Sequence, residues 1–90
     1  DINTLLRLKV LSFFEREKLD KELKDACDIY SLLVYSDTKF KINVELKKAA
    51  EKIINRNDIC DFIAENVLKD ALKAGIVKAI LLNMIGRKGQ

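Results

Sequence analysis

The stretch DKELKDACDIYSLLVY, residues 20–35, decides the fold. Leu23, Ala26, Cys27, Tyr30 and Val34 recur every three or four positions, the repeat of one face of a helix. Ile29, Leu32 and Leu33 widen that face. Neither glycine nor proline interrupts the stretch, so the spacing predicts a helix from about Asp20 to Tyr35.

Towards the N-terminus, Arg16–Leu23 is densely charged and holds a turn, although no glycine or proline marks it. Before it, a first helix is expected from about Thr4 to Glu17, with Asn3 or Thr4 as its cap. Leu5, Leu8, Ser12 and Phe13 fall on one side. Leu6, Val10, Phe13 and Phe14 make the helix apolar over much of its girth. Towards the C-terminus, Ser36–Ile42 reads as a loop anchored by Phe40 and Ile42. The alternation Lys39-Phe40-Lys41-Ile42 also fits a short extended piece, but no partner strand is visible.

A third helix follows Asn43 and runs to about Asn55, with Leu46, Ala49, Ala50 and Ile53 inward. Asn57 or Asp58 caps a fourth, whose stripe is Ile59, Cys60, Ile63 and Val67. Asp70 begins a last helix or lies within a continuous one. Its stripe is Leu72, Ile76, Ala79, Ile80 and Ile85, and Gly86 stops it by taking a left-handed backbone. Residues 87–90 are expected to fray. The expected fold is all-α: a single domain, one bundle of four to five short helices and no sheet.

Composition agrees. In 90 residues there is no proline and there are three glycines, two of them in the last five positions. Hydrophobic residues make up 49% and charged residues 34%, a globular balance. The net charge of +3 comes from 17 basic and 14 acidic residues of interspersed sign, which reads as a solvated surface. Cys27 and Cys60 lie in apolar helical patterns, with no histidine and no third cysteine, which excludes the usual zinc site. They read as buried free thiols in a reducing, cytoplasmic setting. No apolar run approaches about 18 residues, so no membrane span is expected. The chain begins at Asp1 and enters a helical pattern at once, as expected of a piece of a longer protein.

Some residues are not explained by a bundle. Lys9 lies among Leu5, Leu8, Val10, Ser12 and Phe13, where a lysine either snorkels to water or serves a site. Arg16 follows about two turns later and points the same way. Together they face an anion such as phosphate, or they are solvated charges near a helix end. Asp25 and Asp28 share a face of the next helix and repel, so a cation is expected beside them. Lys24, Lys21, a metal, or Lys9 and Arg16 across an antiparallel hairpin would all serve. A plain surface charge cluster is the alternative.

Leu5-Leu6-Arg7-Leu8-Lys9, Phe13-Phe14-Glu15-Arg16 and Lys24-Asp25-Ala26-Cys27-Asp28-Ile29-Tyr30 together resemble the AbiEii/AbiGii-type toxin nucleotidyltransferases. These belong to the polymerase-beta-like superfamily and to toxin–antitoxin systems. The resemblance covers about the first 35 residues. It implies that Lys9 contacts nucleotide phosphates, that Asp25 is the acidic residue of the later motif and that Asp28 supports it. Arg16 and Lys24 would orient those carboxylates or add charge near the phosphates. It also implies Mg2+ and a nucleoside triphosphate as cofactor and substrate of the parent protein, and an antitoxin protein or RNA acceptor as partner. The family's Gly-Ser turn and its paired acids on a strand are not in this chain. They belong to an N-terminal nucleotidyltransferase half, without which the helical C-terminal portion is inactive and offers no metal site of its own.

Two other readings stand beside this one. A helical protein-interaction module without an active site would leave Lys9, Asp25 and Asp28 apart or facing solvent. A nucleic-acid-binding helix would use Lys47, Lys48, Lys52 and Arg56 of the third helix, diluted by Glu45 and Glu51.

Overall fold

The computed structural model describes residues 1–15, 19–36, 40 and 42–86. Among them it has five α-helices and no strand: α1 (Ile2–Glu15), α2 (Leu19–Tyr35), α3 (Val44–Ile54), α4 (Asn57–Asn66) and α5 (Ala74–Gly86). A short 3-10 turn, Ala71–Lys73, precedes α5. The bundle is the all-α fold expected. Arg16, the Asp37–Lys39 part of the predicted loop, Lys41 and the tail at 87–90 lie outside the described residues.

The helices start where short polar side chains satisfy free amides. Asp1 begins α1, because its carboxylate accepts from the Thr4 amide at 2.9 Å and its carbonyl accepts from Leu5. The helix therefore starts before the expected Asn3 or Thr4 cap. Asn43 caps α3 as expected, accepting from the Leu46 amide at 2.8 Å. At α4 the cap differs: Asn57 is already helical and Arg56 holds the cap position without a capping side-chain bond. Asp70 accepts from the Leu72 amide and opens the 3-10 turn rather than a long helix. Gly86 is the last helical residue, and no described glycine takes a positive φ. The left-handed position belongs instead to Lys69, at φ 60°, which turns the chain so that the Asp70 amide reaches the Ala64 carbonyl at 3.0 Å.

One core draws on every helix. Phe13, Ile29, Tyr30, Ile53, Ile59, Ile63, Val77 and Leu81 are fully buried in it, each side chain contributing about 1.5–3 kcal/mol by leaving water. The predicted stripes of α3 and α4 are those observed, except that Val67 caps α4 half-buried. Phe40 and Ile42 pack against the core as the loop's anchors.

Three stripes fall elsewhere. In α1, Leu6, Val10 and Phe13 are buried, while Leu5, Leu8 and Leu11 are exposed. In α5, Val77, Leu81 and Ile85 face inward, while Ile76 and Ala79 are exposed. Leu72, held in the 3-10 turn, is 93% exposed. Both helices are apolar on more than one side, so periodicity alone does not choose the inner face. The α2 stripe turns by about one position, to Glu22, Asp25, Ala26, Ile29, Tyr30 and Leu33. That rotation puts two carboxylates under the core surface.

Helix α1 lies against α2 and, less extensively, α3, while α4 and α5 close the other side. The radius of gyration is 12.1 Å, as expected for a folded chain of this length. No described helix is long and apolar enough to cross a membrane.

Candidate functional site

The α1–α2 hairpin brings together three of the residues singled out by spacing. Lys9 leaves the middle of α1 towards α2, where Asp25 and Asp28 stand a turn apart. Its ammonium is 2.8 Å from Asp28 Oδ2 and 3.8 Å from Asp25 Oδ1. The Asp25 side chain is 6% exposed and that of Asp28 49%. The hydrogen bond from Lys9 to Asp28 is the largest influence holding the lysine above its usual pKa, against a smaller opposing effect of burial. Lys9 thus neither snorkels free nor sits apart from the acids.

The cluster carries one positive and two negative charges. Asp25 Oδ2 is buried and has no hydrogen-bond partner among the described residues. Lys24 is exposed, and no ion pair ties it to a described residue. Lys21 is likewise exposed, one turn away from Asp25. Arg16 is outside the described residues, so its expected place beside Lys9 is not part of this geometry.

A second polar cluster closes the C-terminal end of α1. Glu22, buried at the start of α2, pairs with Lys52 of α3 at 2.7 Å and with Arg56 at 3.5 Å. Lys52 also donates to the Phe13 carbonyl at 2.7 Å and lies 4.0 Å from the centre of the Phe13 ring. A cation at the last carbonyls of a helix meets the negative end of its dipole. Arg56 bridges on to Asp58 with two hydrogen bonds of 2.9 and 2.7 Å, which raise the arginine's pKa and lower that of Asp58. Two of the four cations proposed for a nucleic-acid face are therefore turned to acids, leaving Lys47 and Lys48 exposed. Spacing did not single out Glu22. The signal was there: Glu22 stands three, four and seven positions before Asp25, Ala26 and Ile29, on the face that packs inward.

The described residues do not by themselves gather a donor set for a magnesium ion. Among the described residues no group of three or more Cys, Asp or Glu side chains gathers to hold a metal. The two clustered carboxylates already face an ammonium. Cys27 and Cys60 are free thiols; Cys60 is buried and donates to the Ile53 carbonyl at 3.1 Å. A half-open cavity of about 410 Å³ between α1 and the start of α3 is lined by Leu6, Val10, Phe40 and Leu46 with Arg7 and Glu45 among its polar residues, and none of the Lys9 cluster lines it. No family model, curated protein or solved structure matches the chain.

Proposed function

We propose that this chain is the helical C-terminal portion of a nucleotidyltransferase-like protein of the AbiEii/AbiGii type, inactive in isolation. The observation that carries the reading is the meeting of Lys9 with Asp25 and Asp28 across the α1–α2 hairpin, at 2.8 and 3.8 Å. Those are the lysine and the acids on which the sequence resemblance rests. Lys9 is the contact to nucleotide phosphates, buried Asp25 the acidic catalytic residue, and Asp28 the acid that supports it. By the resemblance, Lys24 and Arg16 orient those carboxylates or add charge near the phosphates. Magnesium, and the acids that bind it, belong to the N-terminal half of the parent protein. Transfer of phosphoryl-type groups depends mainly on charge and positioning, which a wall of this kind supplies. The parent acts in the cytoplasm, with an antitoxin protein or an RNA acceptor as its partner.

The test is made on the full-length parent with labelled nucleoside triphosphates, magnesium and total RNA. Lys9→Ala and Asp25→Ala are expected to abolish labelling, with the fold retained by circular dichroism. Labelling at wild-type levels in both variants overturns the reading. So does a parent gene encoding no Gly-Ser turn followed by a strand with paired acids.

A second reading, a protein-interaction module, is favoured by the exposed Leu5, Leu8 and Leu11 on α1 and Ile76 and Leu82 on α5. In that case Lys9→Ala leaves function intact and Leu8→Asp removes it.

A further inference from the structure

We propose that Asp28 is a built-in stand-in for phosphate: its carboxylate occupies the place on the Lys9 ammonium that a phosphate oxygen takes, and a nucleotide's phosphate chain binds by displacing it. This rests on the reading of Lys9 as a phosphate contact and adds how that contact is controlled.

The two acids hold Lys9 in different ways. Asp25 is buried, and Lys9 is the cation it faces, at 3.8 Å. Withdrawing that cation would leave a carboxylate charge uncompensated under the surface, so the Asp25 contact is the lasting one. Asp28 is half exposed and makes the shorter contact, at 2.8 Å. An ion pair open to water is weak and exchanges with other anions. Lys9 itself keeps a third of its side-chain surface exposed, so a ligand can reach it. Lys24 stands one turn before Asp28 on the same side of α2, which gives the displaced carboxylate a second cation nearby.

The charge balance sets the direction. With both acids ionised the cluster is net negative and repels a polyanion. Without the Asp28 charge it is neutral, and the outer side of the ammonium is open. A unit charge within a few ångströms at a half-exposed position changes binding of a polyanion by about tenfold or more.

The experiment titrates the 90-residue chain with sodium tripolyphosphate at low ionic strength, by calorimetry and by NMR of the Lys9 side chain. Asp28→Asn and Asp28→Ser are each expected to bind about tenfold more tightly than wild type. The gain should vanish in Asp28→Asn/Lys9→Met. Asp61→Asn, which removes the same charge from the exposed surface of α4, should bind like wild type. The proposal is overturned if both Asp28 variants fold and bind like wild type, if Asp61→Asn reproduces the gain, or if the gain survives loss of Lys9. Loss of transfer in the parent's Lys9→Ala without a gain in Asp28→Asn removes this proposal and leaves the functional reading. A gain in Asp28→Asn beside full transfer by the parent's Lys9→Ala does the reverse.

Discussion

Cys27 sits half-buried on α2 beside Asp28, and burial first, then that carboxylate, pushes its thiol up to about 11. The thiolate is the reactive form. At pH 8 the side chain should therefore react with iodoacetamide on the order of a hundredfold more slowly than an unperturbed thiol. The rate should climb about tenfold per pH unit until it levels near 11, as mapped by mass spectrometry of the alkylated peptide. Fast labelling at neutral pH contradicts this placement. Tyr30 offers a second check. It is fully buried, its ring meets that of Tyr35 edge-on at 6.3 Å, and its hydroxyl has no hydrogen-bond partner among the described residues. Tyr30→Phe removes an unpaired buried polar group and should raise stability by about 1 kcal/mol in urea denaturation. At this scale the pairing was legible in part: Asp25 and Asp28, like charges one turn apart, need a cation, and Lys9, set among apolar residues, was one of several on offer. Spacing did not locate Glu22, because a glutamate near a helix start ordinarily faces water.

Between elements, α1 is fastened to its neighbours by more than apolar packing. Lys52 of α3 reaches both the last turn of α1 and Glu22 of α2. Lys52→Met leaves Glu22 buried with Arg56 alone, at 3.5 Å, and should cost about 3 kcal/mol. Adding Glu22→Gln should recover part of that loss, since the orphaned charge is then gone; a double variant no more stable than the single one would count against the pairing. The α4–α5 connection makes a separate prediction. Lys69 holds a left-handed backbone that costs a non-glycine residue about 1–2 kcal/mol. Lys69→Gly should stabilise by about 1 kcal/mol after the added freedom of the unfolded chain is counted, and Lys69→Val should destabilise. Nothing in the order of residues near Gly75 or Gly86 announces this. Glycine is the usual signal for such a turn, and here a lysine takes the position.

For the molecule as a whole, the all-helical class was legible because 90 residues without proline carry helical spacing almost throughout. The inner faces of α3 and α4 were legible too, since their other sides are polar. What was not legible is which side of α1 and α5 turns inward, because both carry leucine or isoleucine on opposite sides. The core that results is shared by all five helices. Ile53→Ala at its centre should remove about 2–5 kcal/mol, a large part of the stability of a domain this small. Circular dichroism and tyrosine fluorescence should then report one common, lowered midpoint; separate midpoints would mean that the helices unfold as independent units.

The two polar clusters on α1 have a consequence for its setting. The side of α1 bearing Leu5, Leu8 and Leu11 is as greasy as the one bearing Leu6, Val10 and Phe13, so burial of apolar surface alone does not choose between them. A slip of one turn, about 5.4 Å, would take Lys9 from its place between the two acids. A half-rotation would aim it at water and leave Asp25 buried with no counter-charge. The lysines thus work as the notches of a key, admitting one azimuth and one axial position of α1 where oil alone would admit several.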